Sequence, residues 1–144
     1  MCFAAAGLTI VGVVLAPAAS ADATESLRDA VAAARPSTCG PLRSDPLIDQ
    51  VAKEINDTTD RYLNFAARAV PETDALPLLN DLGYKGAGKA QILSGSATTA
   101  VLSIKGLLLL GFSTLPDCSY TAYGVATTYN ARKDVVLATA VLVG

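Results

Sequence analysis

The chain has 144 residues, 51% of them apolar and only 17% charged, and a formal net charge of −2. That length supports one domain with a sizeable core, and the apolar content excludes a disordered chain. No basic block is present and Trp is absent, which argues against a nucleic-acid binder and against a surface that stacks bases or sugars.

Residues 1–18 are almost entirely apolar and uncharged, and Ala19-Ser20-Ala21 matches the small-residue pattern that precedes a signal-peptidase cut. The expectation is a secretory signal peptide over residues 1–21 and a single domain over residues 22–144, placing the protein outside the cell or in the cell envelope. No Lys or Arg precedes the apolar run. An uncleaved membrane anchor is the alternative, although the run is slightly shorter than the ~20 residues that span a bilayer. Cleavage removes Cys2 and leaves Cys39 and Cys118, an even pair in an exported protein, which predicts a disulfide; two unpaired buried thiols are the alternative. Such a bridge closes a loop of about eighty residues, worth about 4 kcal/mol in the chain-entropy description.

Thr24 is placed to cap a helix running to about Arg35, with Leu27, Val31 and Ala34 repeating on one face, and Pro36 stops it. Asp45-Pro46 pairs a capping carboxylate with Pro at the first helical position. It starts a long amphipathic helix to about residue 69, with Ile48, Val51, Ala52, Ile55 and Tyr62 inward and Asp49, Lys53, Glu54, Asp57 and Asp60 outward. A shorter helix is expected over residues 74–82, ended by Gly83. Residues 89–94 read as a short strand. Ser96 then caps a helix in which Val101, Ile104, Leu107 and Leu108 share a face. Residues 120–129 and 134–143 are rich in Thr, Tyr and Val and form a hairpin across residues 130–133. The order α, α, α, β, α, β, β gives one α+β domain.

The chain contains no His, so Ser-His-Asp and Cys-His arrangements and His-containing zinc sites cannot be built from it. Glu54, Asp57 and Asp60 fall at helical spacing, as a solvated helix face rather than an all-oxygen Ca²⁺ loop. Residues 83–90 carry the glycine and lysine spacing of a phosphate-binding loop. Ala90, however, stands where the Mg²⁺-ligating hydroxyl is required, and a helix precedes the segment where a strand should. Its reading is an inter-element turn. Asn56-Asp57-Thr58 matches the N-glycosylation pattern but lies mid-helix. No cofactor and no metal site are expected. Leu107, Leu108, Leu109 and Leu110 cover more than one helical face. A core helix packed on both sides, an apolar pocket shared with the long helix, and a partner-binding patch are the readings weighed. The pocket would be contacted by Leu107, Leu108, Phe112 and Tyr62.

Read in order, Cys39-Gly40-Pro41-Leu42-Arg43-Ser44-Asp45-Pro46-Leu47, Leu82-Gly83-Tyr84, Ala90-Gln91-Ile92-Leu93-Ser94-Gly95 and Asp117-Cys118-Ser119-Tyr120-Thr121-Ala122-Tyr123-Gly124-Val125 resemble the CAP superfamily (cysteine-rich secretory protein, antigen 5 and pathogenesis-related 1). The alanine-rich, cysteine-paired style resembles actinobacterial members. The resemblance implies a three-layer α-β-α sandwich, CAP-like, with a C-terminal β-hairpin, and secretion. It also departs from the family's acidic and histidine tetrad. Ala90 stands at the motif Glu, Gly111 near one His, no His occupies residues 67–71, and Lys105 lies near the family's Trp. The implied protein is therefore a non-catalytic CAP-like member, not an enzyme, that binds a lipid or other apolar small molecule. The competing class is a structural or protein-interaction module of the cell envelope with no ligand pocket. Neither nucleic-acid binding nor a stable membrane span after signal cleavage is expected.

Overall fold

The computed structural model describes residues 18–66 and 68–144, with side chains from residue 21 onward. The apolar run that carries the signal-peptide assignment, with Cys2, lies outside the described residues up to residue 17. Among the described residues the elements are α1 (Ala18–Ala34), β1 (Arg43–Ser44), α2 (Pro46–Leu63), α3 (Leu76–Asp81), β2 (Ala90–Ala97), α4 (Ala100–Leu110), β3 (Ala122–Asn130) and β4 (Val135–Val143). The fold is α+β, as the element order implied. Its one sheet runs β1-β3-β4-β2, antiparallel except for β1 beside β3. No helix among these residues is long and apolar enough to cross a membrane.

Strand alternation divides the core in two. Tyr123, Val125, Ala138, Ala140, Leu142 and Leu93 point to one face, where Leu27 and Val31 of α1 and Ile104 and Leu107 of α4 cover them. Ala122, Ala126, Val141 and Val143 point to the other, beneath Ile48, Val51, Ala52 and Ile55 of α2 and Leu79 of α3. Helices thus lie against both faces. Glycine sets the closest approaches. A Cβ on Gly124 would stand 2.2 Å from the Ile48 carbonyl carbon and the Asp49 nitrogen, and one on Gly95 would stand 2.0 Å from the Ser103 carbonyl oxygen. α2 and α4 are each seated backbone to backbone on a strand that has no side chain at that point.

Several helix ends differ from the sequence expectation. α1 begins at Ala18, and Thr24 is inside it, its hydroxyl 2.7 Å from that of Thr127 rather than capping a helix start. α2 starts as expected, with the Asp45 carboxylate accepting from the Leu47 N–H at 2.9 Å, but it stops at Leu63. Phe65 takes a left-handed φ of 57°; its N–H bonds to the Tyr62 carbonyl and the Ala66 N–H to the Arg61 carbonyl. This is a Schellman ending built without glycine, so nothing in the composition announced it. α3 closes in the same way at Gly83, as expected: the Gly83 N–H bonds to Asn80 and the Tyr84 N–H to Leu79. β2 extends to Ala97, which places Ser96 in the strand and moves the cap of α4 to Thr99, whose hydroxyl accepts from the Leu102 N–H at 3.3 Å.

Cys39 and Cys118 are bridged, with Cα atoms 4.8 Å apart. The bridge ties the loop before α2 to the turn before β3. Arg35 joins the same two segments by donating to the carbonyls of Gly40, Leu115, Asp117 and Tyr120.

Candidate functional site

The buried and half-buried polar side chains described next are committed to architecture. Arg28 from α1 forms a bidentate pair with Asp49 of α2, at 3.3 and 3.1 Å, and also donates to the Ser44 hydroxyl. Asp49 accepts in turn from the Val125 N–H at 2.8 Å, so one carboxylate holds α1, α2 and the outer edge of β3. Asn56 is fully buried, donates to the Ala126 carbonyl and accepts from the Thr139 hydroxyl. Its amide is therefore occupied inside the fold, and the glycosylation pattern at residues 56–58 has no accessible acceptor. Asn130 donates to Asp60 and Asn64 and accepts from the Lys133 N–H. No buried side-chain nitrogen or oxygen among the described residues lacks a partner.

One exposed cluster is electrostatically distinct. Asp117 accepts from the Ser119 hydroxyl and N–H, and the Lys89 ammonium lies 3.0 Å from its second oxygen. These three donors, the Ser119 hydroxyl first, hold the Asp117 carboxyl well below its ordinary range, at about 2. Lys89 also lies over the Tyr120 ring, 4.0 Å from its centroid. The cluster staples the turn before β3 to the start of β2.

The anomalous surface is α4. Ser103, Ile104 and Leu107 are buried and Leu108 is half-buried, forming the side turned to the sheet. At 100° per residue the remaining positions sweep about half the circumference. Val101, Leu102, Leu109 and Leu110 lie there, and Leu109 is 67% exposed. Phe112 follows in the next turn at 82% exposed. Lys105 is the one charge on α4. Val101, expected to share the buried face with Ile104, is instead on the outer arc at 76% exposed. The helix is packed on one side, not on both.

The four expected apolar contacts are not brought together. Leu107 is sealed in the core cluster between α4, α1 and the sheet, and Leu108 packs at its margin. Phe112 faces solvent. Tyr62 lies on α2, which covers the opposite face of the sheet, and is 52% exposed. The family-like positions are separated as well: Ala90 packs with the α2 cluster, whereas a Cβ on Gly111 would stand 2.7 Å from Leu93 in the α4 cluster. Residues 83–90 form the turn from α3 into β2. Glu54 is exposed and Asp57 pairs with Lys53 within α2, so the acidic stripe is a helix face. No group of three His, Cys, Asp or Glu side chains converges among the described residues.

A partner-binding patch on this helix was among the sequence expectations, but the direction of its outer arc was not. The signal that could have located it is Lys105, because a lone charge on an apolar helix marks the outward direction, and Val101, Leu102 and Leu109 fall on its side. Comparison with family models, with curated proteins and with solved structures finds no match in any of the three.

Proposed function

We propose that the chain is a non-catalytic interaction module, exported to the cell envelope or the medium, that binds through the apolar outer arc of α4. The single observation carrying this reading is that arc. A contiguous apolar surface on a small domain marks an interaction site more often than an accident of composition. The CAP-like sandwich implied by the sequence resemblance belongs to the same proposal. It is supported by helices on both faces of the sheet and by the Cys39–Cys118 bridge.

The test compares the purified chain with a Leu109→Ser, Phe112→Ser double variant at submicromolar concentration. The variant is expected to lose most of its binding of an apolar fluorescent dye, with an unchanged urea midpoint. Unchanged dye binding would sink the reading, and so would a large fall in the midpoint, since the arc would then be supporting the core.

A small apolar ligand is the second reading. A groove of about 400 Å³ between α2 and α3 favours it, where Leu78 and Leu82 lie beside the aliphatic stems of Gln50, Lys53 and Glu54. Native mass spectrometry after incubation with a fatty acid tests it; a chain that takes up none removes it.

A further inference from the structure

Helix α1 fixes the end of the domain at which the chain enters. Near its start, the Thr24 hydroxyl lies 2.7 Å from that of Thr127, whereas Arg35, just past its other end, donates to the carbonyls of Leu115, Asp117 and Tyr120. α1 therefore runs antiparallel to β3. From Thr24 back to Ala18 is about 9 Å of helix, and from Thr127 on to the β3–β4 turn is about 10 Å of strand. The backbone of Ala18 thus stands level with that turn, at the end of the molecule opposite the Cys39–Cys118 bridge. Residues 1–17, which precede it, belong to the uncharged apolar run. α1 is already helical through residues 19–21, the position of the expected cut.

The side chains displayed at this end share a chemistry. Phe65, just past α2, is 86% exposed, and Tyr129, near the end of β3, is 53% exposed. Asn130 donates to Asp60 and Asn64, which holds the end of α2 against the turn. Tyr129 alternates with Tyr123 and Val125 onto the opposite face of the sheet, so the two rings flank the turn. Between them, the exposed Arg132 reaches the Asn64 carbonyl at 3.5 Å, and the Lys133 ammonium lies 4.7 Å from the centroid of the Phe65 ring. Neither cation forms a salt bridge among the described residues. The acids beside them are engaged, Asp134 by the Tyr129 hydroxyl and Asp60 by the Asn130 amide. Phe65 also holds a left-handed φ of 57°. A bulky residue is an outlier there, and glycine would close the helix with less strain. The chain nevertheless presents an exposed phenylalanine at that point.

We propose that this end of the domain rests on a phospholipid bilayer, entered at the same level by the apolar run with that run retained. Aromatic rings take the headgroup level of a bilayer, and basic side chains beside an apolar segment meet the lipid phosphates while their stems lie along apolar surface. Phe65, Tyr129, Arg132 and Lys133 supply both parts. The run itself is close to the ~20 residues that span a bilayer. The α4 reading is independent of this surface: Phe112 follows Gly111, which packs against Leu115 near the Arg35 end of α1.

The chain contains no Trp, so one introduced Trp reports its own position. The full-length chain is incorporated into vesicles of phosphatidylcholine and phosphatidylglycerol that carry a brominated quencher lipid. Phe65→Trp and Tyr129→Trp are compared with Thr38→Trp at the bridge end and with Phe112→Trp on α4. Emission from the first two is expected to be quenched about threefold more than that from Thr38→Trp. Having both keeps the test open if one substitution disturbs the fold. Adding Arg132→Glu and Lys133→Glu to Phe65→Trp should bring its quenching down toward the Thr38→Trp level. Equal quenching of all four variants overturns the proposal, as does quenching that the charge reversals leave unchanged. Quenching confined to Phe112→Trp overturns it as well and leaves the α4 arc as the binding surface.

Discussion

Helices α2 and α4 meet the sheet in the same way and meet solvent in opposite ways. Each is seated on a glycine, α2 on Gly124 and α4 on Gly95, with backbone atoms where a side chain would otherwise stand. Yet α2 turns Lys53, Glu54, Asp57 and Arg61 outward, including a Lys53–Asp57 pair one turn apart, whereas α4 turns out valine, leucine and a single lysine. Seating and outer chemistry are separate requirements. Packing against the sheet stabilises either helix, but only the outer face decides what else the helix can touch. α2 is finished as a solvent-facing element, whereas α4 leaves apolar side chains exposed.

The largest expected effect tests the shared seating. Gly95→Val and Gly124→Val each drive side-chain atoms into helix backbone, and each is expected to cost about 4 kcal/mol or more in urea unfolding, or to prevent folding. A loss below about 1 kcal/mol in either would mean that its helix can lift off the strand. The next effect separates the two sides of α4. Leu107→Ala is expected to cost about 2–5 kcal/mol, because it empties a core position, whereas Leu109→Ala should stay within about 0.5 kcal/mol. Equal losses would erase the distinction between covered and uncovered faces.

The smallest effect concerns the staple at the start of β2. The Asp117 carboxyl sits at about 2 in the folded chain against an ordinary 3.8, so it contributes stability above the ordinary value, and that contribution is lost as pH falls through about 2. Asp117→Asn should therefore be slightly less stable than the parent at neutral pH, with the gap closing between about pH 4 and pH 2. Thermal melts across that range check it. A gap that persists undiminished at the acid end would assign the effect to the Ser119 turn rather than to charge.

Much of the fold was legible where one residue carries a local rule. Asp45-Pro46 opened α2, Gly83 closed α3, the β-rich runs around residues 130–133 gave the hairpin, and the Cys39–Cys118 pair gave the bridge. The misses share a cause. Phe65 adopts a left-handed turn that favours glycine in isolation, and Ser96 reads as a cap until β4 extends the strand through it. The networks of Asp49, Asn56 and Asn130 link residues about seventy or more positions apart, and a linear reading has no access to such pairs. The candidate surface was half legible: α4 was recognised as unusually apolar, but the four residues assigned to one pocket were distributed between core, margin and two separate surfaces.

By itself the sequence determined the α+β class, the hairpin, the start of the long helix, and a chemistry that lacks histidine. Each of these depends on residue type and short spacing. Only the tertiary structure decided which side of α4 is covered. Periodicity orients a helix when polar and apolar residues alternate around it. In α4 the outer and inner faces are both apolar except for Lys105, so a single residue rather than a pattern marks the outward side, and the neighbours available, β2, β4 and α1 on one side alone, set the direction.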